Sequence, residues 1–327
     1  MHYFITGARG FVMSVLVKEL LTDPTATVTA TDLHAPDDAF TRHLDDAAGR
    51  VRYAQCDITD AATVESLISE NAPDIIVHGA TITHDPASER RNPAQFIHVN
   101  VAGTTNVLDA ARRTRVPRVL LISSGAVYGN SPETVLSEDT APAPDEMYGI
   151  SKLATELIAH RYVELYGMDI PIARLTKMFG SMERPSSGRA VMSLPYHLAR
   201  AAVENRPVIL TPRTLQAGGD WLSATQAAKA LRLLTAHGEG SRVYNIASGV
   251  RTSVAELIEL FGVDVLHGSA QDAEADMDPS AETGKNGIYR SDRAQQELSW
   301  RPTALSEQVA EYLDWARQYM DSFAAAR

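Results

Sequence analysis

The feature that most constrains this chain is an alternation. Short β-prone runs near residues 2–6, 27–31, 51–55, 74–78, 117–123 and 170–175 are separated by longer segments with apolar residues at three- and four-residue intervals. Strand-length runs joined by helix-length segments read as βαβ units, which require parallel strands with helices covering both faces. The expected fold class is therefore α/β, a doubly wound parallel sheet. The longest helical patterns are Val99 to Arg113 and Tyr148 to Tyr166. After residue 175 the character changes: Gly180 to Arg189 is rich in Gly, Pro, Ser and Arg, and Leu215 to Gly219 interrupts again. The division expected is a first domain over 1–175, to which later segments can return, and a smaller C-terminal part over 176–327. From Val263 to Gly287 the chain is acidic and polar, which reads as a solvated surface loop.

With 327 residues and 44% hydrophobic content, the chain can bury a large core. Its one cysteine, Cys56, allows no internal disulfide or cysteine metal cluster and suits a reducing cytoplasm. The first apolar run is too short for a signal peptide, and no stretch approaches transmembrane length. A net charge of −11 favours solubility and disfavours nonspecific nucleic-acid binding.

Two constellations carry chemistry. The first is at the N-terminus, where the β-prone run Tyr3 to Thr6 meets Gly7-Ala8-Arg9-Gly10-Phe11-Val12 and then a helical pattern from Ser14 to Leu21. Glycines at such a turn let backbone N–H groups approach a pyrophosphate at a helix N-terminus, where the dipole also favours the anion. Asp32, at the end of the second β-prone run, is placed to accept from an adenosine ribose 2′-OH and to repel a 2′-phosphate, which argues for NAD over NADP. Arg9 beside the turn keeps NADP open, and a turn-capping role is the alternative for Asp32. Met13 stands where a third glycine normally permits close packing of helix on strand. Either a displaced helix or a small residue opposite is expected.

The second constellation is Tyr148 and Lys152, four residues apart in a helical segment and following Ser124 by about two dozen residues. That spacing puts both side chains on one helix face, so the ammonium is expected to favour the phenolate and suit the tyrosine to proton transfer near neutral pH. Ser124, at the carboxyl end of a strand, is expected to hydrogen-bond the reacting oxygen, with Ser123 as the runner-up.

Together these motifs, with Asp57-Ile58, His78-Gly79-Ala80-Thr81, Asn100, Leu121-Ile122-Ser123-Ser124, Val127-Tyr128-Gly129 and Tyr148-Gly149-Ile150-Ser151-Lys152, resemble the extended short-chain dehydrogenase/reductase superfamily, in its epimerase/dehydratase branch. The match runs from residue 1 to about 250. The resemblance implies a Rossmann-type NAD(P) domain, a catalytic Ser124, Tyr148 and Lys152, and cofactor contacts from Gly7, Arg9, Gly10, Phe11, Val12, Asp32, Asp57, Ile58, Gly79, Ala80, Thr81, Asn100, Tyr148 and Lys152. It implies that Lys152 hydrogen-bonds the nicotinamide ribose and that Asn100 supports the set from behind, although a buried Asn satisfied by backbone is an equal alternative. It further implies a homodimer through a four-helix bundle made by the two long helices; the alternative is that they only cover the sheet.

Departures from the family pattern narrow the reaction. Dehydratases of the branch carry an Asp-Glu pair after the hydroxyl residue, and Gly125-Ala126 here provides no proton donor or acceptor. Where the epimerases place an Asn and an Arg for the substrate diphosphate, this chain has Lys177 and Gly219, and losing a bidentate guanidinium at a diphosphate is not conservative. Lys177, Arg184 and Arg189 remain as anion-binding candidates, with solvated loop residues as the alternative. Trp221, Thr83 and Ser124 complete the expected substrate contacts, with Thr81 and His84 also near. The expected function is an NAD-dependent dehydrogenase of a small sugar, sugar acid or other hydroxy acid. The alternatives are a nucleotide-sugar epimerase with retained NAD and a cofactor-sensing regulatory protein.

Overall fold

Phe4 and Ile5, neighbours on the strand His2–Thr6, are both fully buried, yet in different cores. Alternate residues of a strand point to opposite faces, so such a strand needs cover on both sides. Ile76 and Val77 repeat the pattern on Ile75–His78. In the computed structural model, which describes residues 1–129, 131, 133–186, 188–269 and 287–324, these strands lie centrally in a seven-stranded sheet. Its order is Val51–Gln55, Thr27–Asp32, His2–Thr6, Ile75–His78, Arg118–Ser124, Ile172–Leu175 and Val243–Ile246, with every pairing parallel. Residues 270–286, most of the expected acidic loop, lie outside the described residues.

Helices Ala61–Asn71, Gly103–Thr114 and Met147–Tyr166 contribute to the core that holds Phe4. Phe11–Leu20 and Ala224–His237 form the other core with Ile5. The sheet is thus completed from both halves of the chain: helix Ala224–His237 and strand Val243–Ile246 come from beyond residue 175. The segment expected as one helix from Val99 begins as a π-helical turn, Ile97–Ala102, and continues as Gly103–Thr114. A third core gathers Phe179, Leu198, Trp221, Val254, Phe261 and Tyr312, beside a three-stranded sheet of Arg251–Ser253, Gly218–Ser223 and Lys177–Phe179.

Met13 is accommodated by a small residue opposite. A Cβ built on Gly79 would fall 2.5 Å from Met13 Cγ, so the missing side chain at 79 makes the space that a glycine at 13 would otherwise have left.

Candidate active site

The carboxyl ends of the central parallel strands bring Gly7, Asp32, Gly79 and Ser124 to one edge of the sheet, where open α/β sheets receive their ligands. Gly7 has φ +67°, and a Cβ there would lie 2.7 Å from Ala80 Cα, so only glycine fits both the conformation and the approach. Gly10 closes the turn by donating its N–H to Gly7 O at 2.8 Å and starts helix Phe11–Leu20 without a capping side chain. This backbone cradle, opening on a helix N-terminus, suits a dinucleotide pyrophosphate.

Asp32 accepts from Arg9 N at 3.1 Å, so its carboxylate is fixed against the turn. The Arg9 guanidinium points to Asp37, at 2.8 Å. Arg184, expected at the substrate, reaches the same carboxylate at 3.0 Å and also donates to Arg9 O at 3.2 Å. Asp57 accepts from the amide and hydroxyl of Thr59 at 2.9 and 2.8 Å, and Ile58 packs against Gly103. Ala80 N donates to Thr6 Oγ1 at 3.2 Å. Asn100 binds Ile82 N and O and donates to Ser151 Oγ at 2.9 Å, which is the backbone-satisfied alternative and fixes the segment just after Thr81.

Ser123 and Ser124 are separated by the pleat of their strand. Ser123 Oγ donates to the buried Glu156 at 2.5 Å, and Glu156 holds Arg174 through two short bonds of 2.9 and 2.6 Å. Ser124 faces the other way, accepts from Ala126 N at 3.1 Å and lies close enough to the hydroxyl of Tyr148 to lower its pKa. The runner-up serine is therefore part of an ionic brace, and Ser124 is the one that meets Tyr148.

Lys152 is buried, donates to Ile122 O at 2.9 Å and stands 5.9 Å from the Tyr148 ring centroid. Burial lowers its pKa to about 8, against the raising effect of Glu156. Tyr148 is shifted upward, first by burial; the nearby Ser124 and the charge of Arg189 oppose the shift, while Glu146 adds to it. Lys152 thus stands beside the Tyr148 ring while its ammonium donates to Ile122 O, and Arg189 is a further cation near the phenol.

Around this group the substrate candidates divide. Arg189 pairs with the buried Glu183 and lies over the Phe11 ring at 5.2 Å. Thr83 donates both its amide and its hydroxyl to Gly188 O, at 3.0 and 2.9 Å, so it ties two loops together. His84 pairs with Glu146 at 2.8 Å. Lys177 and Trp221 are register partners, with the ammonium 5.5 Å from the indole ring. A Cβ on Gly219 would lie 2.8 Å from Lys177 Cδ, so the two departures from the family pattern fit each other: the lysine stem lies where glycine leaves room. Trp221 itself is buried in the third core and presents its ring to Lys177. Gly125 is covered by Tyr289, whose Cε1 would be 2.6 Å from a Cβ there, so no acidic side chain can stand at that position.

Sequence reasoning missed Asp37, Glu146, Glu156 and Tyr289. Asp37 and Glu146 carried a signal only as acidic residues close to Asp32 and Tyr148; the other two are set by contacts distant in sequence.

The family model described as "NAD dependent epimerase/dehydratase family" matches residues 3–247. The chain is 29% identical to a dTDP-glucose 4,6-dehydratase of Streptomyces antibioticus, over 97% of this chain and 92% of that protein. It is 28% identical to a UDP-glucose 4-epimerase of Mycolicibacterium smegmatis, over 97% of this chain and 98% of the other. Among solved structures, dTDP-glucose 4,6-dehydratase from Bacillus anthracis in complex with NAD superposes with a TM-score of 0.82 at 20% identity, covering all of both chains.

Proposed function

This chain belongs to the NAD dependent epimerase/dehydratase family, and on that premise we propose that it is a dehydrogenase acting at a hydroxyl-bearing carbon of a small polyhydroxylated substrate, a sugar, sugar acid or other hydroxy acid. The observation that carries the reading is that the start of helix Met147–Tyr166, with Tyr148, packs against the Ser124–Ala126 turn, where a Cβ on Gly149 would lie 2.5 Å from Ala126 O, at the strand ends beside the Gly7–Gly10 cradle. NAD, held along that cradle with Asp32 at its adenosine ribose, supplies the hydride acceptor. Ser124 donates to the reacting oxygen, and Tyr148 takes the proton of the substrate hydroxyl. Lys152, within the same helix, donates toward the cofactor ribose and turns from Ile122 O to do so. Arg189, close enough to influence Tyr148, favours its ionised form.

Two features favour this reading over its relatives' reactions. Elimination of water needs a proton donor and acceptor at the neighbouring carbon, and Gly125 under Tyr289 leaves no space for one. Lys177 is a single point charge in place of the Asn and Arg expected at a diphosphate, and Arg184 is engaged at Asp37, so a small anionic group suits the pocket better. A nucleotide-sugar epimerase with retained NAD is the second reading, supported by the M. smegmatis relative. Retention of Ser124, Tyr148 and Lys152 in this chain speaks against a sensing role without chemistry. The dimer belongs to the same proposal: Ile150, Leu157 and Leu165 are exposed along helix Met147–Tyr166, an apolar stripe of the kind two copies would bury.

The test is incubation of purified protein with NAD and a panel of sugars, sugar acids and nucleotide sugars. Net NADH formation from a small substrate supports the proposal. An isomer formed from a nucleotide sugar without net NADH supports the second reading, and a dehydrated keto sugar would overturn both.

A further inference from the structure

Arg9 contacts two carboxylates. Its backbone N–H donates to Asp32 at 3.1 Å and its guanidinium to Asp37 at 2.8 Å. Arg184, from 147 positions further along the chain, donates to Asp37 through Nη2 at 3.0 and 3.2 Å and through Nε at 3.3 Å. Tyr53, on the neighbouring strand, lies within range of the charges of Asp32, Arg9 and Asp37 together, so these groups share one corner. The cluster is neutral, with two guanidiniums against two carboxylates. Arg9 Nε is buried without a hydrogen-bond partner, so that side chain retains donor capacity.

A carboxylate at the position of Asp32 accepts from ribose hydroxyls. The 2′-phosphate of NADP would therefore arrive as a dianion beside Asp32 and within reach of Arg9. Two guanidiniums suited to bidentate phosphate binding stand close by, and Asp37 holds both. We propose that Asp37 sets the preference for NAD over NADP by holding Arg9 and Arg184 away from the ribose. Asp32 supplies repulsion; Asp37 removes the cations that would offset it. The inference rests on NAD dependence and not on the identity of the substrate.

A purely structural latch between the turn and the 182–184 segment would give a different result, because loosening it would weaken both cofactors together. The experiment is a titration of the full-length protein with NADH and with NADPH, followed by cofactor fluorescence. Asp37→Ser retains a capping oxygen for Phe40 N, to which Asp37 now binds at 2.8 Å. In that variant NADPH should bind roughly tenfold tighter or more, the size of one charged hydrogen bond, with NADH changing by less than about threefold. Adding Arg184→Ala should remove part of the gain, and adding Arg9→Ala as well should cancel it. Asp37→Asn, nearly isosteric, repeats the measurement if the serine variant does not fold. An unchanged NADPH/NADH affinity ratio, parallel weakening of both, or a gain that survives loss of both Arg9 and Arg184 would overturn the proposal.

Discussion

The thioether of Met13 lies over Gly79, in the space that a side chain at 79 would fill. Two positions that look unrelated in the sequence are therefore one packing unit, which joins the first helix of the cofactor domain to the strand end that carries Ala80 and Thr81.

Gly79→Ala places a Cβ 2.5 Å from Met13 Cγ and should destabilise the protein by about 1–3 kcal/mol, the usual range for overpacking. Met13→Ala in the same chain should recover most of that loss. Urea denaturation of the single and double variants reads the coupling, and additive effects would show that the two residues do not share the space.

Tyr148→Phe and Ser124→Ala should each lower kcat by roughly 10²- to 10⁴-fold, the contribution typical of positioned proton transfer, while NADH affinity stays close to wild type. Ser123→Ala should act differently. Because Ser123 bonds the buried Glu156–Arg174 pair, its loss should lower thermal stability more than turnover. A Ser123 variant with wild-type stability and no activity would reverse the assignment of the two serines.

Lys152 links stability to pH. Folded, its pKa is lowered to about 8 by burial, below the ordinary value of 10.5. Between those values the unfolded chain holds a proton that the folded protein has released, so stability rises with pH through that window. Relative to Lys152→Met, wild type should therefore gain stability by up to about 1.4 kcal/mol per pH unit above pH 8. The Met variant should lose activity at every pH while showing no loss of melting temperature near neutrality. A difference between the two proteins that is flat through the alkaline range would show that the lysine is not desolvated.

Leu157, 61% exposed on helix Met147–Tyr166, should lie at the centre of a dimer contact. Leu157→Glu should convert a dimer to a folded monomer, measured by light scattering on a sizing column. A wild-type protein that is already monomeric at micromolar concentration removes the bundle from the proposal.

The six β-prone runs fall within two residues of observed strands: five are largely buried, the pattern that parallel sheets impose, and the half-exposed edge strand Val51–Gln55 shows only its β-prone residues. The seventh strand, Val243–Ile246, escaped notice because Asn245 interrupts it. That residue is fully buried and satisfied by Tyr128 OH, Leu136 O and Arg290 O, partners that only the tertiary fold brings near. At the site, Ser124, Tyr148 and Lys152 were legible from spacing and strand position. Which serine faced the tyrosine depended on the pleat, and a shift of one residue exchanges the faces. The partner of Arg184 was not legible at all, since no local pattern links it to Asp37. Lys177 and Gly219 looked like two separate losses until their register placed one against the other.

Completion of the sheet by residues 243–246 also governs when this protein can fold as it is made. A nascent chain that has left the ribosome only as far as residue 175 carries an unpaired edge along Ile172–Leu175 and a bare flank on helix Phe11–Leu20, both awaiting segments still to be synthesised. The dinucleotide half is accordingly not an excisable module, and a cut at that boundary yields a sheet with an adhesive border.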